Sequence, residues 1–198
     1  MPKSTFNNLS DEKKERIFDA ALQEFSTRRF SEASLNHIIK NAGIPKGSFY
    51  QYFESKEDLY LYMREVVSKE MADLLSNING IDSDADVFEV IKQETREFLE
   101  RGKVKPGYVE VAMLMEIDDS EFIKETRKSS SSRYVKMLEC DKERGRIKPE
   151  VDSELVINMI SRFSLNEYFK NGSDKEKYFK NLNDAIKIIK DGIAVSKD

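Results

Sequence analysis
The chain predicts an all-α protein of about nine helices, and three observations predict it. Apolar residues recur with a period near 3.6 along most of the 198 residues. No stretch alternates apolar and polar residues over more than a few positions, as a half-buried strand would. Glycine and proline, which interrupt helices, number only 8 and 4.

Residues 1–10 carry no periodic pattern and are expected to be disordered. Ser10-Asp11-Glu12-Lys13 reads as a helix start, with acids in the first turn favoured by the helix dipole. Ile17, Phe18, Ala21, Leu22 and Phe25 then form one apolar stripe that ends near Arg28, and Phe30 is expected to pack at the turn. The next helix has Leu35, Ile38, Ile39 and Ala42 on one face, Ser34 at its N-cap, and Gly43 free to take the left-handed conformation that ends it. Ile44 buries, and Pro45 has the fixed φ suited to a first helical turn. A short helix from Pro45 to Tyr52 turns Phe49 and Phe53 inward and leaves Lys46, Ser48, Tyr50, Gln51 and Tyr52 outside. Two helices joined by a glycine-containing turn form the helix-turn-helix pattern, whose second helix enters the DNA major groove.

Ser55-Lys56-Glu57-Asp58 is a capping box opening a fourth helix. Leu59, Met63, Val66, Val67, Leu74 and Leu75 carry it to about residue 77, long enough to be a transmission rod. Asn79-Gly80 and Asp82-Ser83-Asp84 mark a break. Val87, Phe88, Ile91, Phe98 and Leu99 define a fifth helix; after a loop from Gly102 to Gly107, Tyr108, Val111, Ala112 and Met115 define a short one. Phe122, Ile123, Thr126, Tyr134, Met137 and Leu138 mark a long helix, interrupted in pattern at Ser129 to Ser132 and stopped by Gly145. Val156, Met159, Ile160 and Phe163 give the next, and Phe179, Leu182, Ala185, Ile186, Ile189 and Ile193 the last. The expected organisation is a DNA-binding domain over 1–54 and a larger helical domain over 55–198.

Bulk properties narrow the function. Charged residues make up 35% of the chain, and the longest apolar runs, such as Val111 to Met115, fall far short of the ~20 residues of a membrane span. The start of the chain lacks the apolar core of a secretory signal, and the single cysteine, Cys140, is consistent with a reducing cytosol; a cytoplasmic protein with no membrane partner is expected. The net charge is −4, but residues 1–54 hold 8 basic and 7 acidic side chains, so the acidity lies outside the helix-turn-helix. A head at +1 attracts phosphates only modestly, and binding would lean on a few placed contacts and on dimerisation. One histidine, His37, has no partner at metal spacing, and Asp118-Asp119 reads as a helix start rather than a catalytic pair. No metal, cofactor or catalytic residue is expected, and the chain is not expected to be an enzyme.

The run Ala42-Gly43-Ile44-Pro45-Lys46-Gly47-Ser48-Phe49-Tyr50-Gln51-Tyr52-Phe53-Glu54-Ser55-Lys56-Glu57-Asp58-Leu59 closely resembles the DNA-binding signature of the tetracycline-repressor (TetR-like) family of bacterial regulators. The resemblance is specific over residues 11–60 and continues weakly through Gly145-Arg146-Ile147-Lys148-Pro149-Glu150-Val151-Asp152. It implies that Ser34, Ser48, Tyr50, Tyr52 and Lys56 hold phosphates, while Asn36, Lys46 and Gln51 reach base edges, with chemistry suited to each. Gly47 would let the helix approach the DNA backbone closely. Pro45 stands where the family often has serine, and Lys40 where a small apolar residue is usual; both leave the operator sequence unpredicted.

The resemblance further implies a homodimer formed through the last two helices and a small-molecule effector enclosed by the body. Val156, Ile160, Phe179, Leu182, Ile186, Ile189 and Ile193 are the expected dimer interface. Phe88, Phe98, Tyr108, Met113, Met115, Phe122, Tyr134, Met137 and Phe163 are the expected lining of an adaptable apolar pocket. The expected function is a ligand-responsive repressor that binds a pseudo-palindromic double-stranded operator as a dimer and is released by an apolar or amphipathic effector. The rival reading is a small-molecule-binding helical protein that does not bind DNA.

Overall fold
The computed structural model describes residues 2–76, 85–101, 105–128 and 132–195, and among these the fold is all-α. The described residues form eleven helices: α1 (Ser4–Asn7), α2 (Asp11–Thr27), α3 (Leu35–Asn41), α4 (Lys46–Tyr52), α5 (Lys56–Ser76), α6 (Val87–Arg101), α7 (Tyr108–Ile117), α8 (Glu121–Lys128), α9 (Ser132–Glu143), α10 (Ser153–Asn171) and α11 (Lys175–Ile193). The expected break at residues 79–84, the first part of the loop after α6, and Ser129 to Ser131 lie outside the described residues. The expectation of one long helix from Phe122 to Leu138 resolves into α8 and α9.

Residues 2–10 depart from the expectation, and residue 1 lies outside the described residues. Disorder was expected there, but Ser4–Asn7 form a helical turn because Phe6 is buried, leaving 2% of its surface exposed. Its ring lies 4.9 Å from both Phe53 and Tyr62. One aromatic anchor of this size recovers enough apolar burial to order a few residues around it.

The chain forms two compact units, one of residues 1–78 and 98–125, the other of 79–97 and 126–198. Compactness thus divides the chain elsewhere than at 54/55. In the first unit α2 is the central scaffold, and α3, α5 and α7 all pack on it. Ile17, Ala21 and Phe25 of α2 meet Ile38, Phe49, Phe53, Leu59 and Met63 in one core. Helix α5 buries its inner face in that core, so no gap separates it from the head. Helix α7 is fastened by its first residue, since the Tyr108 hydroxyl donates to Glu70 of α5 at 2.9 Å and Lys105 pairs with the same carboxylate.

The second unit is built on α10 and α11, which bury Val156, Ile157, Ile160, Leu182 and Ile186. Asp152 and Asp174 cap these helices by accepting the N–H groups of Leu155 and Lys177 at 3.0 and 3.1 Å. The segment after α9 returns along the end of α11 in a single antiparallel bridge, Ile147 to Ala194. Lys190 reaches Asp86 at 2.5 Å, and Arg146 holds the buried Asp141 at 3.0 Å. No helix among the described residues is long and apolar enough to cross a membrane.

Candidate nucleic-acid interface and body cavity
Local chemistry sets both ends of the turn between α3 and α4. Ser34 accepts the His37 N–H at 3.4 Å, as an N-cap should. Gly43 adopts φ 63°, its N–H bonds to Lys40, and the Ile44 N–H bonds to Ile39. That is a Schellman ending, with Ile39 and Ile44 both buried behind it. Pro45 takes the N-cap position of α4 in extended conformation without a side-chain cap, so α4 starts from proline geometry alone.

The inner face of α4 is Phe49 and Phe53, at 1% and 0% exposure. Lys46, Gly47, Tyr50 and Gln51 are exposed on its outer face, Ser48 is half-buried, and on α3 Asn36 is exposed while Ser34 is half-buried. A Cβ at Gly47 would meet nothing within 4 Å, so the chain's own packing does not require glycine there. The open space is what an approaching surface would occupy.

Two expected contacts are placed differently. Tyr52, expected outside, is buried beside Phe6, and its hydroxyl accepts from Lys13 at 3.1 Å. The reason is helical phase: with Phe49 and Phe53 inward, Tyr52 falls toward α1, a neighbour not expected to be ordered. Lys56 turns its ammonium inward to the carbonyls of Phe30 and Ala33, at 2.7 and 3.0 Å, over the Phe30 ring. Two of its three N–H bonds are thereby committed to the turn that precedes α3.

That turn is held by two further acids that sequence reasoning missed. Buried Glu24 of α2 accepts the Ser34 N–H at 2.8 Å, with His37 at 3.8 Å and Arg28 at 3.6 Å around the same carboxylate. A signal existed, since Glu24 sits on the apolar stripe of α2, where a charge must find a partner. Asp118, at the end of α7, accepts both the N–H and the hydroxyl of Ser31, at 2.8 and 3.1 Å. Burial raises its pKa, but hydrogen bonds from Ser120 and Ser31 outweigh that and hold it below the usual carboxylate range. At the helix start expected there, Asp118 Oδ1 accepts the Ser120 N–H at 2.8 Å, and the grip on Ser31 is a second role.

In the second unit a cavity of about 100 Å³ lies among Ile91 and Thr95 of α6, Tyr134 of α9, Ile157, Ile160, Ser161 and Ser164 of α10, and Leu182 of α11. The Tyr134 hydroxyl donates to buried Glu94 at 2.5 Å, and Arg133 neutralises that carboxylate at 2.8 Å. Burial, then the Glu94 hydrogen bond and charge, push the Tyr134 phenol well above its ordinary value, so it stays protonated as a donor. A larger open groove of about 360 Å³ is lined by Ala85, Arg133, Lys136, Met137, Cys140 and Arg144.

The residues expected to line a pocket are dispersed over the two units. Only Tyr134 lines the small cavity, and Met137 lines the open groove. Phe88 and Tyr108 are buried at 1% and 2% exposure, and Phe98, Met115 and Phe122 pack against the core of the first unit. Met113 and Phe163 are half-buried and line neither space. Large apolar side chains fill cores rather than leave voids, so they are poor markers of cavities. The residues expected at a dimer interface differ in burial within the chain. Val156, Ile160, Leu182 and Ile186 are buried inside the second unit, while Phe179, Ile189 and Ile193 are half-buried. The exposed large apolar residues of α10 and α11 are instead Leu155, Met159, Phe169 and Ile188.

Comparison with known proteins places the helix-turn-helix. Residues 17–63 match the family model of bacterial regulatory proteins, tetR family. The chain is 31% identical over 104 residues to the HTH-type transcriptional regulator YvdT of Bacillus subtilis, covering 52% of this chain and 51% of that one. It is 28% identical over 124 residues to the HTH-type transcriptional repressor NemR of Escherichia coli K12, covering 60% and 61%. The chain thus spans about half to three fifths of the length of these curated relatives. A crystal structure of a TetR family transcriptional regulator from Chloroflexus aurantiacus aligns over 99% of this chain and 100% of that one, with TM-score 0.69 and 24% identity. That likeness is one of fold.

Proposed function
On the premise that this chain is TetR-like in its head and in its fold, we propose that it is a DNA-binding transcriptional regulator rather than an enzyme. It acts in the cytoplasm as a homodimeric repressor on a pseudo-palindromic operator. The observation that carries this reading is the outer face of α4, where Lys46, Tyr50 and Gln51 stand exposed on a helix whose inner face is fully committed to the core. Lys46, Gln51 and Asn36 have the donors and acceptors that read base edges. Ser34, Ser48 and Tyr50 offer hydroxyls to phosphates, Gly47 admits the backbone, and Lys56 has one N–H left for a phosphate.

Dimerisation through Leu155, Met159 and Ile188 would set two α4 helices at half-sites one helical turn apart. A small amphipathic effector in the Tyr134 cavity would release the operator by binding one of two conformations better than the other. The test is binding of the purified protein to the DNA flanking its own gene, at low and moderate salt. A saturable, sequence-selective shift that weakens with salt is expected; no selective shift there, nor in a random-library selection, would overturn the reading. The head's charge of only +1 favours a second reading, a ligand-binding helical protein without DNA affinity, for which the DNA titration stays flat at every salt.

A further inference from the structure
The recognition helix α4 has seven residues, far below the ~12–15 at which a helix is even marginal alone in water. Its last four carbonyls have no partner within the helix proper. The Phe53 N–H takes Phe49 O at 2.9 Å. The other three are filled from the beginning of the chain. Lys3 Nζ donates to Tyr50 O at 3.1 Å, the Thr5 hydroxyl donates to Gln51 O, and the Lys3 backbone N–H donates to Tyr52 O at 2.8 Å. The Lys3 cation thereby sits at the negative end of the helix dipole. Phe6 anchors the segment in the cleft between Phe53 and Tyr62. Lys3, Thr5 and Phe6 lie outside the 17–63 match, so their hold on the helix is not part of what the family model recognises.

We infer that Lys3, Thr5 and Phe6 form a clip that positions the recognition helix and so sets its sequence discrimination. The inference rests on the DNA-binding reading above. Tyr50 and Gln51 supply the exposed face that meets DNA, and their own carbonyls are the ones the clip holds. A helix pinned at its C-terminal end cannot roll about its axis without breaking those bonds, and roll decides which base edge the Gln51 amide meets. Phosphate contacts tolerate such roll far better, because they read no sequence. The clip residues are positioning residues; they need not touch DNA.

The experiment uses the full-length chain. A duplex is selected from a random library with the wild type, and affinity is measured on it and on a scrambled duplex of equal length at one salt concentration. Thr5→Val keeps the side-chain shape and removes the hydroxyl, so it is expected to fold with a melting temperature lowered by only about 2–4 °C, too little to unfold it under binding conditions. It should bind the selected duplex about 5- to 10-fold more weakly, the worth of one such hydrogen bond, and leave scrambled binding unchanged. Thr5→Ser, which restores the hydroxyl, should restore selective binding. Phe6→Leu should act in the same direction as Thr5→Val. Equal weakening on both duplexes would make Thr5 a phosphate contact, and unchanged selectivity would make the segment a bystander; either overturns the clip. A wild type that selects no duplex removes the DNA reading itself, an outcome distinct from both.

Discussion

The head and the second unit offer two ways for a helical protein to carry a function. In the head, the proposed contact residues stand on the outside of α3 and α4, and the apolar period that names the inner face names the outer one by subtraction. In the second unit, the cavity lies between four helices and is edged by Thr95, Ser161 and Ser164, none conspicuous in the sequence. An outer face belongs to one helix and follows from its phase. A cavity belongs to no helix and follows only from how several of them meet.

The largest effect that would sharpen this contrast is Phe53→Ala. The residue is fully buried among Phe6, Phe49 and Tyr62, and its truncation should cost about 3–5 kcal/mol. Denaturant melts should show the loss, and DNA binding should go with it because α4 loses its inner face. Next is the double variant Leu155→Glu with Ile188→Glu, two residues 56% and 73% exposed. It should raise the dimer dissociation constant by at least about 100-fold, as expected for charging the centre of an apolar interface, while leaving monomer stability nearly unchanged. Light scattering checks it; a dimer that persists would move the interface elsewhere.

Gln51→Ala should relax preference at one or two base positions by about 1–3 kcal/mol and spare the rest of the operator. Unchanged preference in a repeated library selection would remove Gln51 from the reading set. Acid offers a test that spans both units. Burial raises the carboxyls of Glu70, Asp86 and Asp118, but hydrogen bonds from Lys105 and Tyr108, from Lys190, and from Ser120 and Ser31 respectively leave each below its ordinary value. The unfolded chain then binds protons first as pH falls, so stability is whole above the ordinary carboxylate range of about 4 and is lost below it. Melting temperatures should be flat from neutral pH to that point and then drop. Asp118→Asn should be less stable at neutral pH and show a shallower drop.

The smallest expected effect separates fold from function most cleanly. Gly47→Ala fills space that is empty in the chain and adds helix propensity, so it should stabilise by about 0.5–1 kcal/mol. If α4 approaches DNA closely at Gly47, the same change should weaken operator binding. A variant that is both more stable and equally tight on DNA would show that no backbone comes near.

Much of the head was legible because its determinants are local. Ser34, Gly43 and the Ile39–Ile44 pair fix the two ends of α3 through bonds spanning at most five residues. The one error of exposure there, Tyr52, arose because its neighbour is α1, 46 positions earlier at Phe6. The inward Lys56 is similar, since its acceptors at Phe30 and Ala33 lie across a turn whose path is set by Glu24 and Asp118. In the last two helices the period of the apolar stripe marks the helices but not which neighbour each face meets. Val156, Ile160, Leu182 and Ile186 serve the inside of the unit, and the faces left open begin one position away at Leu155 and two positions away at Ile188.

What the amino-acid sequence determined by itself is therefore the set of helices and, in the head, which face of each is apolar. Both follow from periodicity, caps and turn residues, which act over a few positions of the chain. Only the tertiary structure decided which apolar faces are satisfied within the chain, where a cavity remains, and which distant residue completes each helix end. Those depend on whether groups far apart in sequence arrive at the same place, and an apolar stripe carries no mark of whether its partner is the same chain or another.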